Sequence, residues 1–281
     1  MGIALSTVTA VASAAVAVVS SVKGLVDLFR NETPEHPAVT EVGASGAGMT
    51  TEQAIQEAKR RFNLDAAYKW NFAMIGQTKA GKSSLVNAFQ GMKDNDPRAA
   101  KVGVTETTFE PQAFPLSGVE GRCFIWDLPG ANTPGNPAKN YFEDKLLCAF
   151  DGLLLVSGDT FLESDLEVLK HAQRYGIPVA LVRTKSDMHI FNMVYSEEIE
   201  PAAAERKLRI EARSNMEKNV KRAGFGGWFP SLFVVSSRVM YRKVKGEPIG
   251  SMQEMDEGST EEGLIGWIYT EAKKRTQKPS H

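Results

Sequence analysis

One stretch constrains this chain more than any other. Trp70-Asn71-Phe72-Ala73-Met74-Ile75 is an apolar run of strand length, and Gly76-Gln77-Thr78-Lys79-Ala80-Gly81-Lys82-Ser83 follows it directly. From Ser84 onward the pattern turns helical, with Leu85, Ala88 and Phe89 spaced for one face. A strand, then G-x-x-x-x-G-K-S, then a helix is the setting of a phosphate-binding loop. Its glycines let the backbone turn tightly and point N–H groups at an anion, and the helix N-terminus adds its own donors. In that reading Lys82 reaches the β- and γ-phosphates and Ser83 ligates Mg²⁺.

The rest of the chain fits such a loop into an alternating α/β pattern. Gly152 to Val156 is an unbroken apolar run, the mark of a strand covered on both faces. Ile177 to Val182 and Leu232 to Val235 read as further strands. Phe109 to Phe114 reads as an edge strand carrying Pro111, paired as a hairpin with Cys123 to Trp126. A capping box over Thr50 to Gln53 opens a short helix with Ala54, Ile55, Ala58 and Phe62 on its apolar face, and another helix is expected at Asn140 to Phe150. Others are expected around Leu162 to Ala172, over Glu197 to Arg222, and from Ser259 through Lys274. The turn-rich stretch Gly91 to Lys101 reads as a mobile loop. The expected fold is α/β: a doubly wound, mostly parallel sheet with helices on both faces, plus an N-terminal helix.

The N-terminus reads separately. Met1-Gly2-Ile3-Ala4-Leu5-Ser6 fits M-G-x-x-x-[ST], which makes Gly2 a candidate for myristoylation. Ile3 to Val22 carries no charge, and the pattern continues to Phe29. A signal peptide would need basic residues before the apolar run, and a spanning helix would need stronger hydrophobicity than Ala, Ser and Thr supply. A helix lying on a membrane, or on its own globular domain, fits best. The organisation is therefore an apolar helix at 1–30, a flexible linker at 31–50, a globular domain at 51–276 and a tail at 277–281.

Composition narrows the partners. The 281 residues carry a net charge of −1, which argues against nucleic acid. Cys123 and Cys148 form no CxxC pair and read as buried thiols of a reducing compartment. The four histidines lack metal-ligand spacing. The basic residues around Arg206 to Arg213 alternate with Glu205 and Glu211 and read as a solvated helix face.

Three further segments fall at the carboxyl ends of expected strands, where ligands bind in such sheets. Asp127 and Gly130 make D-x-x-G: an aspartate for the Mg²⁺ water shell and a glycine N–H for the γ-phosphate. Thr184-Lys185-Ser186-Asp187 makes T-K-x-D. Asp187 can accept two hydrogen bonds from guanine N1–H and the 2-amino group, and Lys185 can lie along the base. Adenine would leave that carboxylate unpaired, a loss of several kcal/mol at a buried site. Ser236-Ser237 can present backbone to the base O6. The order of the motifs favours GTP over ATP.

The segments GQTKAGKSSLVNAF, GVTETTFEP, FIWDLPGANTP, NYFEDKLLCAFDGLLLVSGDTF and VRTKSD resemble the G domain of the immunity-related, interferon-inducible GTPases, from Asn71 to about Trp267. A weaker likeness, to Era-like and dynamin-like GTPases, rests on KAGKSSLVNA. The family resemblance implies a P-loop GTPase fold, GTP and Mg²⁺ binding, GTP hydrolysis, and cytoplasmic, membrane-associated, nucleotide-dependent self-assembly as a homodimer or oligomer. By the family's G-V-x-x-x-T, Thr108 is the switch I ligand of Mg²⁺, with Thr105 and Thr107 as alternatives. The family pattern continues into a C-terminal helical domain that these residues do not include. Lys79 stands where many members have glycine or a small residue, and Val102 replaces a frequent threonine. Ala131 follows D-x-x-G where Ras-like enzymes place a water-orienting glutamine. A catalytic group must then come from elsewhere: from Lys79 within the loop, or from a docked second domain bringing Glu106. The alternative is a nucleotide-binding scaffold with little or no hydrolysis.

Overall fold

The computed structural model describes residues 27–29, 31, 34, 49–103, 110–119, 121–131, 140–159, 161–225, 227–249 and 260–276. Its centre is strand β1, Trp70–Gly76, buried along its whole length. The remaining strands are β2 (Gln112–Pro115), β3 (Cys123–Asp127), β4 (Gly152–Ser157), β5 (Val179–Arg183) and β6 (Ser231–Val234). They form one six-stranded sheet in the order β2-β3-β1-β4-β5-β6. Only β2 runs antiparallel, as the expected hairpin with β3; every other neighbouring pair is parallel.

Side chains alternate across a strand, so β1 feeds two cores. Phe72 and Met74 join the one that includes Leu264, Ile265 and Ile268. Ala73 and Ile75 join the one that includes Ala58, Leu169 and Met216. Helices therefore cover both faces: α1 (Thr51–Phe62), α2 (Lys82–Phe89), α3 (Tyr141–Asp144), α4 (Glu163–Tyr175), α5 (Ser186–Glu197), α6 (Pro201–Arg222), α7 (Ser237–Lys245) and α8 (Glu261–Lys274). This is the doubly wound, mostly parallel sheet that the alternating sequence pattern predicts. The capping box forms at the start of α1, with Gln53 N–H donating to Thr50 Oγ1 and Thr50 N–H to Gln53 Oε1.

Several elements differ from the sequence reading. The helix expected over Asn140 to Phe150 is the short α3 followed by a 3₁₀ turn at Leu147–Ala149. Leu146, left-handed at φ 53°, breaks it. The segment Gly91 to Lys101 is tied down rather than loose. Asn87, buried in α2, accepts the Ala100 N–H and donates to Ala100 O, while Asp94 accepts from Asn87 and Ser84. The long charged helix begins at Pro201, at its first turn where proline is tolerated. A separate helix, α5, precedes it, and Glu198 in the left-handed region divides the two.

Only Asp27 to Phe29 and Asn31 of the N-terminal segment are described as helical; residues 1–26, with Gly2, lie outside the described residues. Phe29 is fully buried against Trp70, ring centroids 4.8 Å apart, and its carbonyl accepts from Arg122 Nε at 3.0 Å. The end of that segment belongs to the core. Among the described residues no helix is long and apolar enough to cross a membrane.

Candidate functional site: a phosphate loop joined to a base loop

β1 delivers the loop Gly76–Ser83 to the carboxyl edge of the sheet. Gly76 takes φ 129°, and Lys79 and Gly81 turn the chain through φ 65° and 92°. Gly81 then caps α2. Lysine at a left-handed position is uncommon and costs of order 1 kcal/mol relative to glycine. Lys79 is exposed, and Ala80 beside it is buried. The buried Lys82 folds back across the loop, its Nζ donating to Gly76 O at 3.2 Å and Gln77 O at 2.9 Å. The ammonium thus sits where the loop closes.

Asp127 ends β3, beside β1. Its Oδ2 accepts the Ser83 hydroxyl at 2.7 Å. Past it the chain keeps to the loop: Leu128 N–H donates to Met74 O, and Ala131 N–H to Gly76 O at 3.1 Å. A Cβ on Gly130 would stand 2.5 Å from Thr78 Oγ1 and 3.0 Å from Thr78 N, so only glycine permits this approach. The Thr78 hydroxyl is buried there without a partner among the described residues. Ala131 is buried in the core, and its methyl group has nothing with which to hold a water. The hydroxyl of Ser83 and the carboxylate of Asp127 are hard oxygen donors at one corner of the loop, the donor chemistry Mg²⁺ takes. The third expected ligand, Thr108, lies outside the described residues, as do Thr105, Glu106 and Thr107.

β5 brings in Thr184-Lys185-Ser186-Asp187. Thr184 is buried, and its hydroxyl donates to Ala80 O of the phosphate loop and lies 3.3 Å from Ser157 O at the end of β4. One threonine thereby fixes the base segment against the phosphate segment. Lys185 is left-handed at φ 61° and opens α5, with its Nζ against Gly158. Asp187 follows in the first turn, its side chain 19% exposed and 3.7 Å from Arg238 Nη1. Arg238 is largely in solvent, so this pair contributes little.

The two serines divide their roles. Ser236 is buried and already engaged: its hydroxyl accepts the N–H groups of Arg238 and Val239, and its own N–H donates to Glu261 Oε1 at 2.6 Å. Ser236 therefore builds the loop. Ser237 opens α7, and a helix leaves the N–H of its first residue without an internal acceptor. Of the two, Ser237 is thus the candidate to offer its N–H to a base.

Two acids that the sequence reading missed support these loops. Asp165 of α4 is buried and accepts Leu162 N–H at 2.8 Å and Gln77 Nε2 at 3.3 Å, which ties α4 to the phosphate loop. Burial raises its pKa, against the pull of those two bonds and of Lys82. Glu261 is the other. Burial lifts its carboxyl to about 7, opposed by the Ser236 N–H and by Lys243. Beyond the local bond of Asp165 to Leu162 N–H at the start of α4, each supports the site through a partner at least 25 residues away, which leaves no local signal for that role.

Comparison with known proteins agrees with this geometry. The family model described as "Interferon-inducible GTPase (IIGP)" matches residues 36–242. Interferon-inducible GTPase 5 of Rattus norvegicus is 32% identical over 165 residues, 58% of this chain and 34% of that protein. Interferon-inducible GTPase 1 of Mus musculus is 30% identical over 50% of this chain and 33% of its own length. Interferon-inducible GTPase 5 of Bos taurus is 39% identical over 41% of this chain and 24% of its own length. The matched part thus spans about a third or less of each of these relatives. With the family model covering most of the chain and the fold that of a P-loop GTPase, this protein belongs to the interferon-inducible GTPase family.

Proposed function

We propose that this protein binds GTP with Mg²⁺ and hydrolyses it to GDP and phosphate, in a cycle coupled to self-association on a membrane. One observation carries the nucleotide reading. Thr184 bonds the T-K-x-D segment to the phosphate loop, so a base over Asp187 and phosphates over Gly76–Ser83 share one rigid frame. The loop amides and Lys82 would hold the β- and γ-phosphates, Ser237 N–H the base O6, and Asp187 the N1–H and 2-amino group. Ser83 and Asp127 would hold Mg²⁺, which offsets negative charge on the phosphate oxygens.

The base assignment has a direct test. In Asp187→Asn, GTP affinity should fall by about a hundredfold, since two charge-assisted hydrogen bonds are lost. Affinity for xanthosine triphosphate should rise, because its 2-oxo group accepts from the amide. Calorimetric titration of both nucleotides checks this, and equal GTP affinity in wild type and variant removes Asp187 from the site.

Membrane association rests on Gly2 and the apolar run to Val26. One myristoyl chain binds only marginally, and an apolar helix would supply the second attachment. Phe29 fixes where the segment can be cut. Deletion of residues 1–26, which spares Phe29 on Trp70, should release the protein from liposomes while GTP affinity stays within about twofold of the full chain. Removal as far as Arg30 would strip the core as well. Continued co-sedimentation of the shorter form would place the anchor elsewhere.

A further inference from the structure

The loop that would meet the base is held by a helix far along the chain. Ser236 lies at the end of β6 and is almost wholly buried. Its hydroxyl is spent on capping α7, which leaves its N–H as a buried donor in need of an acceptor. Glu261, the first residue of α8 and 3% exposed, supplies it at 2.6 Å. The next residue, Glu262, pairs with the buried Lys243 in the last turn of α7. Two consecutive glutamates thus fasten both ends of α7, and Ser237 starts that helix. A buried carboxylate is a costly way to satisfy one N–H, since water is removed from the acid. A neutral amide would serve stability as well.

We propose that Glu261 is a positioning residue for guanine recognition: through Ser236 it fixes the loop that aims Ser237 N–H at the base O6. This rests on the guanine site proposed above. Four groups act on the carboxyl: Ser236 N–H from beyond the end of β6, the backbone N–H of Glu261 itself, Lys243 from α7 and Glu262 from α8. The carboxylate is the stronger acceptor, so the aligned loop favours the ionised form. Burial brings its titration close to neutrality. By linkage, nucleotide affinity should then rise with pH as Glu261 loses its proton, by up to about tenfold between pH 6 and 8.

The test compares GDP with 6-thio-GDP, which keeps the donors read by Asp187 but offers sulfur, a weaker acceptor, in place of O6. Wild type should prefer GDP. Glu261→Leu should bring the two affinities to within about twofold of each other, whereas a residue that only stabilises the fold would lower both equally. Glu261→Gln keeps an acceptor and cannot ionise. Its GDP affinity should match that of wild type at pH 6, where Glu261 is protonated, and lack the wild-type rise towards pH 8, once the nucleotide's own titration, common to both proteins, is subtracted. That arm decides the matter if Glu261→Leu does not fold. An unchanged GDP to 6-thio-GDP ratio in a folded Glu261→Leu, or parallel pH profiles for wild type and Glu261→Gln, overturns the proposal. Asp187→Asn separates the two failures. If it shifts preference to xanthine nucleotides while Glu261 variants show no effect, the guanine site stands and only the role of Glu261 falls; if it shifts nothing, the base site itself is wrong.

Discussion

Replacing Gly76 with alanine is expected to abolish measurable GTP binding and to lower the melting temperature by roughly 10 °C. The new Cβ would lie 2.1 Å from Val156 O and 3.1 Å from Val156 C, backbone atoms of a paired strand that cannot swing aside. The position also holds φ 129°, a conformation L-residues rarely adopt. Backbone strain and overpacking each cost about 1–3 kcal/mol, so relief must come from displacing the loop. Displacement has consequences at the site. Gly76 O accepts both Lys82 Nζ and Ala131 N–H, and Gly76 pairs with Val156 in the sheet. One shift therefore loosens the phosphate lysine, the D-x-x-G segment and the end of β1 together. A loss of about 4 kcal/mol in binding is a factor of about a thousand. Gly266→Ala is the control: nothing lies within 4 Å of its Cβ, and it sits inside α8. There alanine should be neutral or stabilising by up to about 1 kcal/mol. Thermal melts and calorimetry on the two variants check the contrast, and wild-type GTP affinity in Gly76→Ala would mean that β1 does not feed the loop as described.

What could be read from the sequence follows from the range of the interactions. Trp70 to Phe89 declares itself because a buried strand, two glycines with special φ and an apolar helix face are consecutive. β4 declared its central place because Gly152 to Val156 has no polar side chain to turn toward water. Longer-range features left no such trace. The helix α5 exposes Met188 at 56%, Phe191 at 70% and Tyr195 at 83%, while Ile190 and Met193 pack against the cluster of Leu208, Ala212 and Val234, so apolar residues lie on both its faces and no single stripe marks the buried one. The segment Gly91 to Lys101 looked loose because its anchor, the buried Asn87, belongs to the preceding helix. Ser236 and Ser237 looked equivalent as neighbours. Glu261, 25 residues further on, takes the N–H of the first and not that of the second, and only the fold reveals it. Asp165 reaches Gln77 across 88 residues, and only the fold brings them together.

The other large effect concerns the group that completes hydrolysis. Ala131 cannot orient water: its side chain is buried and apolar, and its N–H is held by Gly76 O. Lys79 lies within the phosphate loop, exposed and left-handed, and its ammonium is one candidate for charge developing on the γ-phosphate. A second domain docked over the nucleotide, bringing Glu106 or a ribose hydroxyl, is the other. We favour self-association, because Lys79 is exposed at the loop crest and nothing among the described residues holds it over the phosphates. Turnover per molecule should therefore rise with protein concentration. Glu106→Ala should lower the maximal rate by about a hundred- to a thousandfold, the range for removing one preorganised catalytic contact, while GTP affinity is retained. Lys79→Ala should keep the concentration dependence and lose little rate; Lys79→Gly should in addition relieve the left-handed strain. Phosphate release measured across a hundredfold range of protein concentration reads all three variants. Turnover independent of concentration that collapses in Lys79→Ala would assign catalysis to the loop lysine, and absence of turnover at every concentration would leave a nucleotide-binding scaffold.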